Sequence, residues 1–292
     1  MRFGLSIGNF AEWADPRLCA DLARDAEAAG WDGVFVWDHL VFVKAWSLPV
    51  GDPWTILAAI GLATERVLLG PMVTPLPRRR PQMVARQTAT IDRMTSGRFV
   101  LGVGLGEPAA DEFGTFGEPE DRATRAAMLD EGLDVLTALW TGEPVTHRGR
   151  FYTVDDVAFL PTPVQQPRIP IWVAATIGHD RPLVRAARWD GVHPVKYVDG
   201  ADVPITPDDV IALRARIGAL RAEAGRSMEG FEVVVGDEMT PADATPGAAR
   251  AARAAACREL AGAGVTWWHH VVTPRSGPPE DQRAIVRAGP PR

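Results

Sequence analysis

The feature that most constrains this chain is a repeated alternation of short, nearly continuous apolar runs with segments of helical periodicity. The runs are Phe3 to Ile7, Val34 to Val36, Val67 to Leu69, Phe99 to Val103, Ile171 to Ala174, Gly191 to Val195, Phe231 to Val235 and Val265 to Trp268. The intervening patterns predict helices over Pro16 to Ala29, Asp52 to Ala63, Pro81 to Met94, Thr124 to Trp140, Arg181 to Trp189, Pro207 to Ala224, Pro246 to Ala263 and Pro279 to Ala288. Strands apolar on both faces must be covered on both, which means a parallel sheet wrapped by helices. Local punctuation agrees: Asp15 can cap the first helix, Pro16 suits its first turn and Gly30 its end.

Eight such units in 292 residues favour closure into a (β/α)8 barrel, which typically takes about 250 residues. An open doubly wound sheet is the alternative. The stretch from about 142 to 169 breaks the rhythm, with a short β-like piece at His147 to Val154 followed by a proline-rich connection. It reads as an insertion over the barrel, after the fourth βα unit of one domain spanning 1–292.

A parallel barrel carries its chemistry on the loops after the strands. Those positions are Asn9, Trp37-Asp38-His39, Pro71-Met72-Val73, Gly104 to Glu107, Ala174-Ala175-Thr176, His193 to Lys196, Asp237-Glu238 and His269-His270. Four of the six histidines therefore fall at the rim. His39, with an imidazole near its reference pKa of about 6.5, is the natural proton acceptor or donor, or else it only hydrogen-bonds its loop. Gly102-Val103-Gly104-Leu105-Gly106 would let backbone approach something flat or anionic. It is not a dinucleotide fingerprint, because an acidic loop follows it rather than a helix. Glu107 is a second candidate acid. Thr176-Ile177-Gly178 opens a helix whose free N–H groups could hold phosphate, and Lys196 could add charge there or to a substrate. Trp37 and Trp54 would wall an apolar pocket, unless they are core filler.

Composition narrows the partners. The net charge of −6 is spread without blocks, so nothing predicts nucleic-acid binding, and Arg78-Arg79-Arg80 reads as a solvated turn. No apolar run approaches the roughly 18 residues that would span a bilayer, and the first residues lack a signal-peptide layout. Cys19 and Cys257 sit in helical patterns and read as small buried groups. Together these predict a cytoplasmic enzyme acting on a small molecule, with no membrane partner.

Several stretches in this order resemble the luciferase-like monooxygenase family of flavin- and deazaflavin-dependent oxidoreductases. They are Ala28 to His39, Asp52-Pro53-Trp54-Thr55, Thr64 to Gly70, the arginine-proline loop up to Pro81, Ser96 to Gly104, Glu112-Phe113 with Phe116-Gly117, and Pro170 to Ala174. The resemblance covers nearly the whole chain. It implies a TIM barrel, a homodimer, and a flat ring in the mouth belonging to FMN or, slightly favoured by the Asp-His pair, coenzyme F420. By position, Asp38 and His39 match the ring-side pair, Pro71 and Met72 the bulge (often a non-proline cis peptide) that backs the ring, and Gly104 falls within a matching stretch. Ala174, Ala175, Thr176 and Gly178 match the phosphate loop, where close members often have paired glycines that this chain lacks. Glu107 falls where some deazaflavin-dependent members place an acid. The implied chemistry is hydride transfer between a small organic substrate and the ring, or oxygen activation by reduced flavin. Two rival readings stay open. One is a metal-dependent hydrolase built on His39, His193, His269 and Asp237, although Ser6-Ile7-Gly8-Asn9-Phe10 lacks the His-x-His pair such barrels carry. The other is a flavin binder without turnover.

Overall fold

In the computed structural model, residues 1–237 and 246–292 are described, with side chains from 250 onward in the second stretch. Eight parallel strands form the barrel: β1 (Arg2–Ile7), β2 (Gly33–Val36), β3 (Leu68–Pro71, resuming at Thr74–Pro75), β4 (Leu101–Gly104), β5 (Ile171–Thr176), β6 (Gly191–Val195), β7 (Glu232–Gly236) and β8 (Trp267–Val272). Consecutive strands pair, and β8 pairs back onto β1 with Arg2 opposite Trp267 and Ile7 opposite Val272. The ring closes between β3 and β4, where Leu69 bridges Phe99 and Thr74 faces Val103.

Helices follow the strands because the linking residues cap them. Asp15 accepts from Arg17 N ahead of α1 (Pro16–Ala28), Asp52 from Thr55 N ahead of α2 (Pro53–Ala63), and Asp121 from Thr124 N ahead of α5 (Arg122–Trp140). Each replaces a backbone acceptor that a first helical turn lacks. Between α2 and α5 lie α3 (Pro81–Met94) and the short α4 (Ala109–Glu112). After β5 come α6 (Asp180–Ala186), α7 (Pro207–Glu223) with a Thr206/Asp209 capping box, α8 (Pro246–Ala263) and α9 (Pro279–Arg287). Among the described residues no helix is long and apolar enough to cross a membrane.

The eighth strand departs from expectation. It runs to Val272 instead of ending near Trp268, so His269 and His270 lie inside it. Successive strand residues point to opposite faces. Trp267 and His269 therefore fill the barrel, while Trp268 and His270 face the helices. His270 Nε2 meets Gln282 Oε1 of α9 at 3.1 Å. Two histidines in a strand look like a loop only when polarity is read without burial.

The segment between α5 and β5 forms an antiparallel hairpin, Pro144–Arg148 with Thr153–Ala158. Glu131 of α5 accepts the N–H groups of Arg150, Phe151 and Tyr152 and so holds the hairpin tip. The connection that follows is held by Asp92, which accepts from Val164 N and Gln165 N, while Gln165 Nε2 donates to Phe99 O. Phe99 precedes β4, so this connection crosses the N-terminal end of the strands and leaves the mouth free.

Phe35, Met72, Val100, Trp172, Val234 and Trp267 form the inner core. They fit because neighbouring strands carry glycine where backbones crowd. A Cβ on Gly70 would lie 1.8 Å from the carbonyl oxygen of Val100. Backbone cannot rotate away as a side chain can, so Gly70→Ala is expected to destabilise the fold by about 3 kcal/mol, at the upper end of overpacking. A urea midpoint equal to that of the wild type would show that the strands separate freely.

Candidate active site

The loops after β2, β3 and β4 meet at the C-terminal end of the barrel around a buried charge cluster. The Asp38 carboxylate accepts from Arg78 Nη2 at 2.9 Å, from Arg79 at 2.8 and 2.6 Å, and from the Thr74 hydroxyl. Arg78 also donates to Glu112, whose side chain is 1% exposed. Glu112 accepts in turn from the backbone N–H groups of Leu40 (3.0 Å), Val41 (3.1 Å) and Phe42. Two carboxylates and two guanidinium groups balance, which a site of low polarity requires. Arg78 and Arg79 are therefore not a solvated turn; only Arg80 is exposed. Three arginines just past a strand end were a rim signal that reading them as surface charge missed.

This cluster holds the His39 loop. The Asn9 side chain brackets the His39 backbone, donating to its carbonyl (2.8 Å) and accepting from its N–H (3.1 Å). The ring packs on Phe42 with centroids 4.5 Å apart, and Nδ1 lies 3.3 Å from Glu112 Oε1. Burial pushes the His39 imidazole down to about 4, with Asp38 opposing the shift and Arg78 adding to it. The ring is thus neutral at pH 7, well below the expected value near 6.5.

A cavity of about 270 Å³ opens above the inner core, near the lower end of the range of roughly 300–1,000 Å³ for small-molecule sites. Trp37, Asp38, His39, Met72, Gly104, Glu107, Ala174 and Thr176 all line it. The Met72–Val73 peptide is cis. On this wall a Cβ at Gly104 would meet Val73 Cγ2 at 2.7 Å and Ala174 Cβ at 3.3 Å, so these three residues are closely packed.

Other sequence-named residues stand elsewhere. Trp54 is 4% exposed in the helix layer, against Phe99 and under the Arg79 guanidinium, and does not wall the cavity. Lys196 is bound by both oxygens of Asp209 at 2.9 and 2.8 Å, so its charge is already matched. Pro71 is buried in β3, and Ala175, 1% exposed, points outward because strand residues alternate. Gly178 is not in the cavity wall. Glu107 lines the cavity with its side chain 53% exposed and 3.1 Å from Arg125.

The metal-ligand set does not assemble. Asp237 pairs with Arg253 at 2.9 Å, and His269 is buried against Phe35 with neither ring nitrogen bonded. Among the described residues no three His, Cys, Asp or Glu side chains are grouped to hold a metal ion. Glu238, named at the same rim, lies outside the described residues.

A family model described as luciferase-like monooxygenase matches residues 1–285. The chain belongs to the luciferase-like monooxygenase family. Within that family it is 38% identical over 182 residues to an F420-dependent glucose-6-phosphate dehydrogenase of Nakamurella multipartita, covering 60% of this chain and 51% of that protein. The chain thus spans about half the length of the curated relatives it matches first. The fold matches an F420-dependent secondary alcohol dehydrogenase in complex with an F420-acetone adduct (TM-score 0.79, 19% identity, 98% of this chain and 97% of that one). It also matches a monooxygenase from Streptomyces bottropensis (TM-score 0.76, 22% identity, 99% and 97%).

The cavity is also lined by side chains that sequence reasoning missed. Arg122, at the start of α5, donates to Thr176 Oγ1 at 3.1 Å. Arg185 of α6 lines the wall but is held by Asp130 at 2.6 and 2.8 Å. Tyr197 overhangs from the loop after β6, and burial raises its pKa, as do Asp202 and Glu107, while Arg122 lowers it. Arg122 and Arg185 belong to helices and not to strand ends, while Tyr197 lies one residue beyond the rim stretch read from the sequence.

Proposed function

We propose that this chain is a coenzyme F420-dependent oxidoreductase that transfers hydride between a small organic alcohol or carbonyl compound and the deazaflavin. The observation that carries the reading is a single cavity that Met72, Val73, Gly104 and Ala174 share with a neutral His39. The relatives' names support F420 over FMN. Gly104 and Ala174 put no side chain longer than a methyl group on their part of the cavity wall, which suits a planar ring. When bound, the deazaflavin supplies the hydride acceptor and donor.

The protein's own groups orient the ligands and handle a proton. Glu112 can only accept, so the His39 proton sits on Nδ1 and Nε2 is left as a base. It takes the substrate hydroxyl proton, and Glu107 is a second acid. Trp37 lines the substrate space. Arg78 and Arg185 are engaged by carboxylates, which favours an uncharged substrate. Arg122 beside Thr176 supplies the positive charge for a cofactor phosphate in place of the absent paired glycines, with Gly178 leaving the following turn open.

The test is titration with coenzyme F420 and with FMN, read by absorbance and fluorescence. Saturable F420 binding is expected; stoichiometric zinc or iron with neither ring bound would overturn the reading. Because the His39 pKa is lowered, its basic form persists into acid. The kcat/KM for alcohol oxidation should hold its level down to about pH 4. A limb already falling at pH 6.5 would mean that His39 is not the base.

We further propose a cytoplasmic homodimer with the chain acting as one domain. Leu62 of α2 and Met83 of the adjacent α3, 75% and 57% exposed, offer apolar surface for a second copy, and sedimentation equilibrium would reveal it.

A further inference from the structure

His193 is a second imidazole on the same cavity, and the reading above gives it no role. It rises from β6, four strands around the ring from the β2 end that carries His39, so the two stand on opposite sides of the mouth. Its Nδ1 lies 3.0 Å from the carbonyl oxygen of Val234 on β7. A carbonyl only accepts, so the ring proton is on Nδ1 and Nε2 carries a lone pair. Burial lowers the His193 pKa, with the Val234 carbonyl and Asp202 opposing, which keeps the ring in this form. Among the described residues Nε2 has no partner, and it is not sealed from the cavity. Its neighbours leave it accessible: Ala174 stands opposite His193 in register on β5. Beyond Val234, a Cβ on Gly236 would among the described residues meet only Val271, at 3.5 Å.

We propose that His193 Nε2 accepts a hydrogen bond from an uncharged hydroxyl of the bound organic ligand, making it a selectivity residue opposite the proton-handling His39. A neutral acceptor-only nitrogen rejects a carboxylate or phosphate oxygen and a carbonyl, because two lone pairs would face each other. It rewards a hydroxyl, and loss of one such contact in a desolvated site costs about tenfold or more in affinity. Two sources can supply the hydroxyl: the polyhydroxylated side chain of the cofactor, or a second hydroxyl of the substrate beside the one whose proton His39 takes. This rests on the proposed function.

The test uses the whole chain labelled with ¹⁵N-histidine. The free protein should show the Nε2 of His193 as an unprotonated nitrogen. That resonance should move on adding coenzyme F420 if the cofactor supplies the hydroxyl, or only on then adding propane-1,2-diol if the substrate does. His193→Asn keeps an N–H for Val234 and removes the ring nitrogen that reaches the Nε2 position, its own amide oxygen standing closer to the backbone. It should weaken F420 binding about tenfold in the first case. In the second it should raise the KM for propane-1,2-diol about tenfold, with kcat within a few-fold. A proton found on Nε2, or a resonance unmoved by either addition in protein that has bound F420, overturns the inference. So does a His193→Asn variant unchanged in both constants. The wild-type spectra decide even where the variant does not fold. A wild type that binds neither F420 nor FMN refutes the proposed function itself.

Discussion

Replacing Glu112 by alanine is expected to lower stability by about 3–5 kcal/mol, the usual result of removing one partner from a buried ion pair. Its carboxylate is the shared acceptor for Arg78 and for the N–H groups of Leu40, Val41 and Phe42. Alanine would leave one side of a buried guanidinium and a run of backbone donors unsatisfied. For a chain of this size that corresponds to a fall in Tm on the order of 10 °C, measurable by calorimetry. Glu112→Gln should lose less, because an amide oxygen still accepts from the loop. Activity should fall with stability, since the same loop carries His39. An alanine variant melting within about 2 °C of the wild type would mean that the carboxylate is a solvated surface group, contrary to its burial.

The second large effect concerns turnover. His39→Ala is expected to lower kcat by about 10²-fold or more, the usual size of general acid–base catalysis, while F420 binding stays within a few-fold. The reason is that His39 Nδ1 is directed at Glu112, which leaves Nε2 for the substrate oxygen and not for holding the cofactor. With the pKa near 4, the protonated ring is about 4 kcal/mol uphill at pH 7, so the base acts transiently and hands its proton on. Steady-state kinetics paired with an F420 titration check this. Turnover unchanged in the variant would reduce His39 to a residue that only shapes the loop.

Much of the architecture was legible because it is written in local chemistry. Caps such as Asp15 and Asp52 and the prolines after them mark helix starts wherever the chain folds, and doubly apolar strands demand cover on both sides. Burial was not legible. His269 and His270 differ only by one step of the pleat, yet one is sealed in the barrel and the other faces α9. Trp54 is as aromatic as Trp37, yet only Trp37 reaches the cavity. Arg78 and Arg79 look like surface charge until the partners that neutralise them, Asp38 and Glu112, are brought from distant positions.

The sequence alone therefore determined the eight-unit alternation, the rim position of Trp37, Asp38 and His39, and the likeness to luciferase-like proteins. Those follow from short-range periodicity and from motif order, which need no third dimension. Only the tertiary structure decided that His39 is neutral, that the charge around it is balanced, and that Arg122 and His193 share its cavity. Burial, tautomer and charge pairing depend on groups far apart in the chain, and no local pattern carries them.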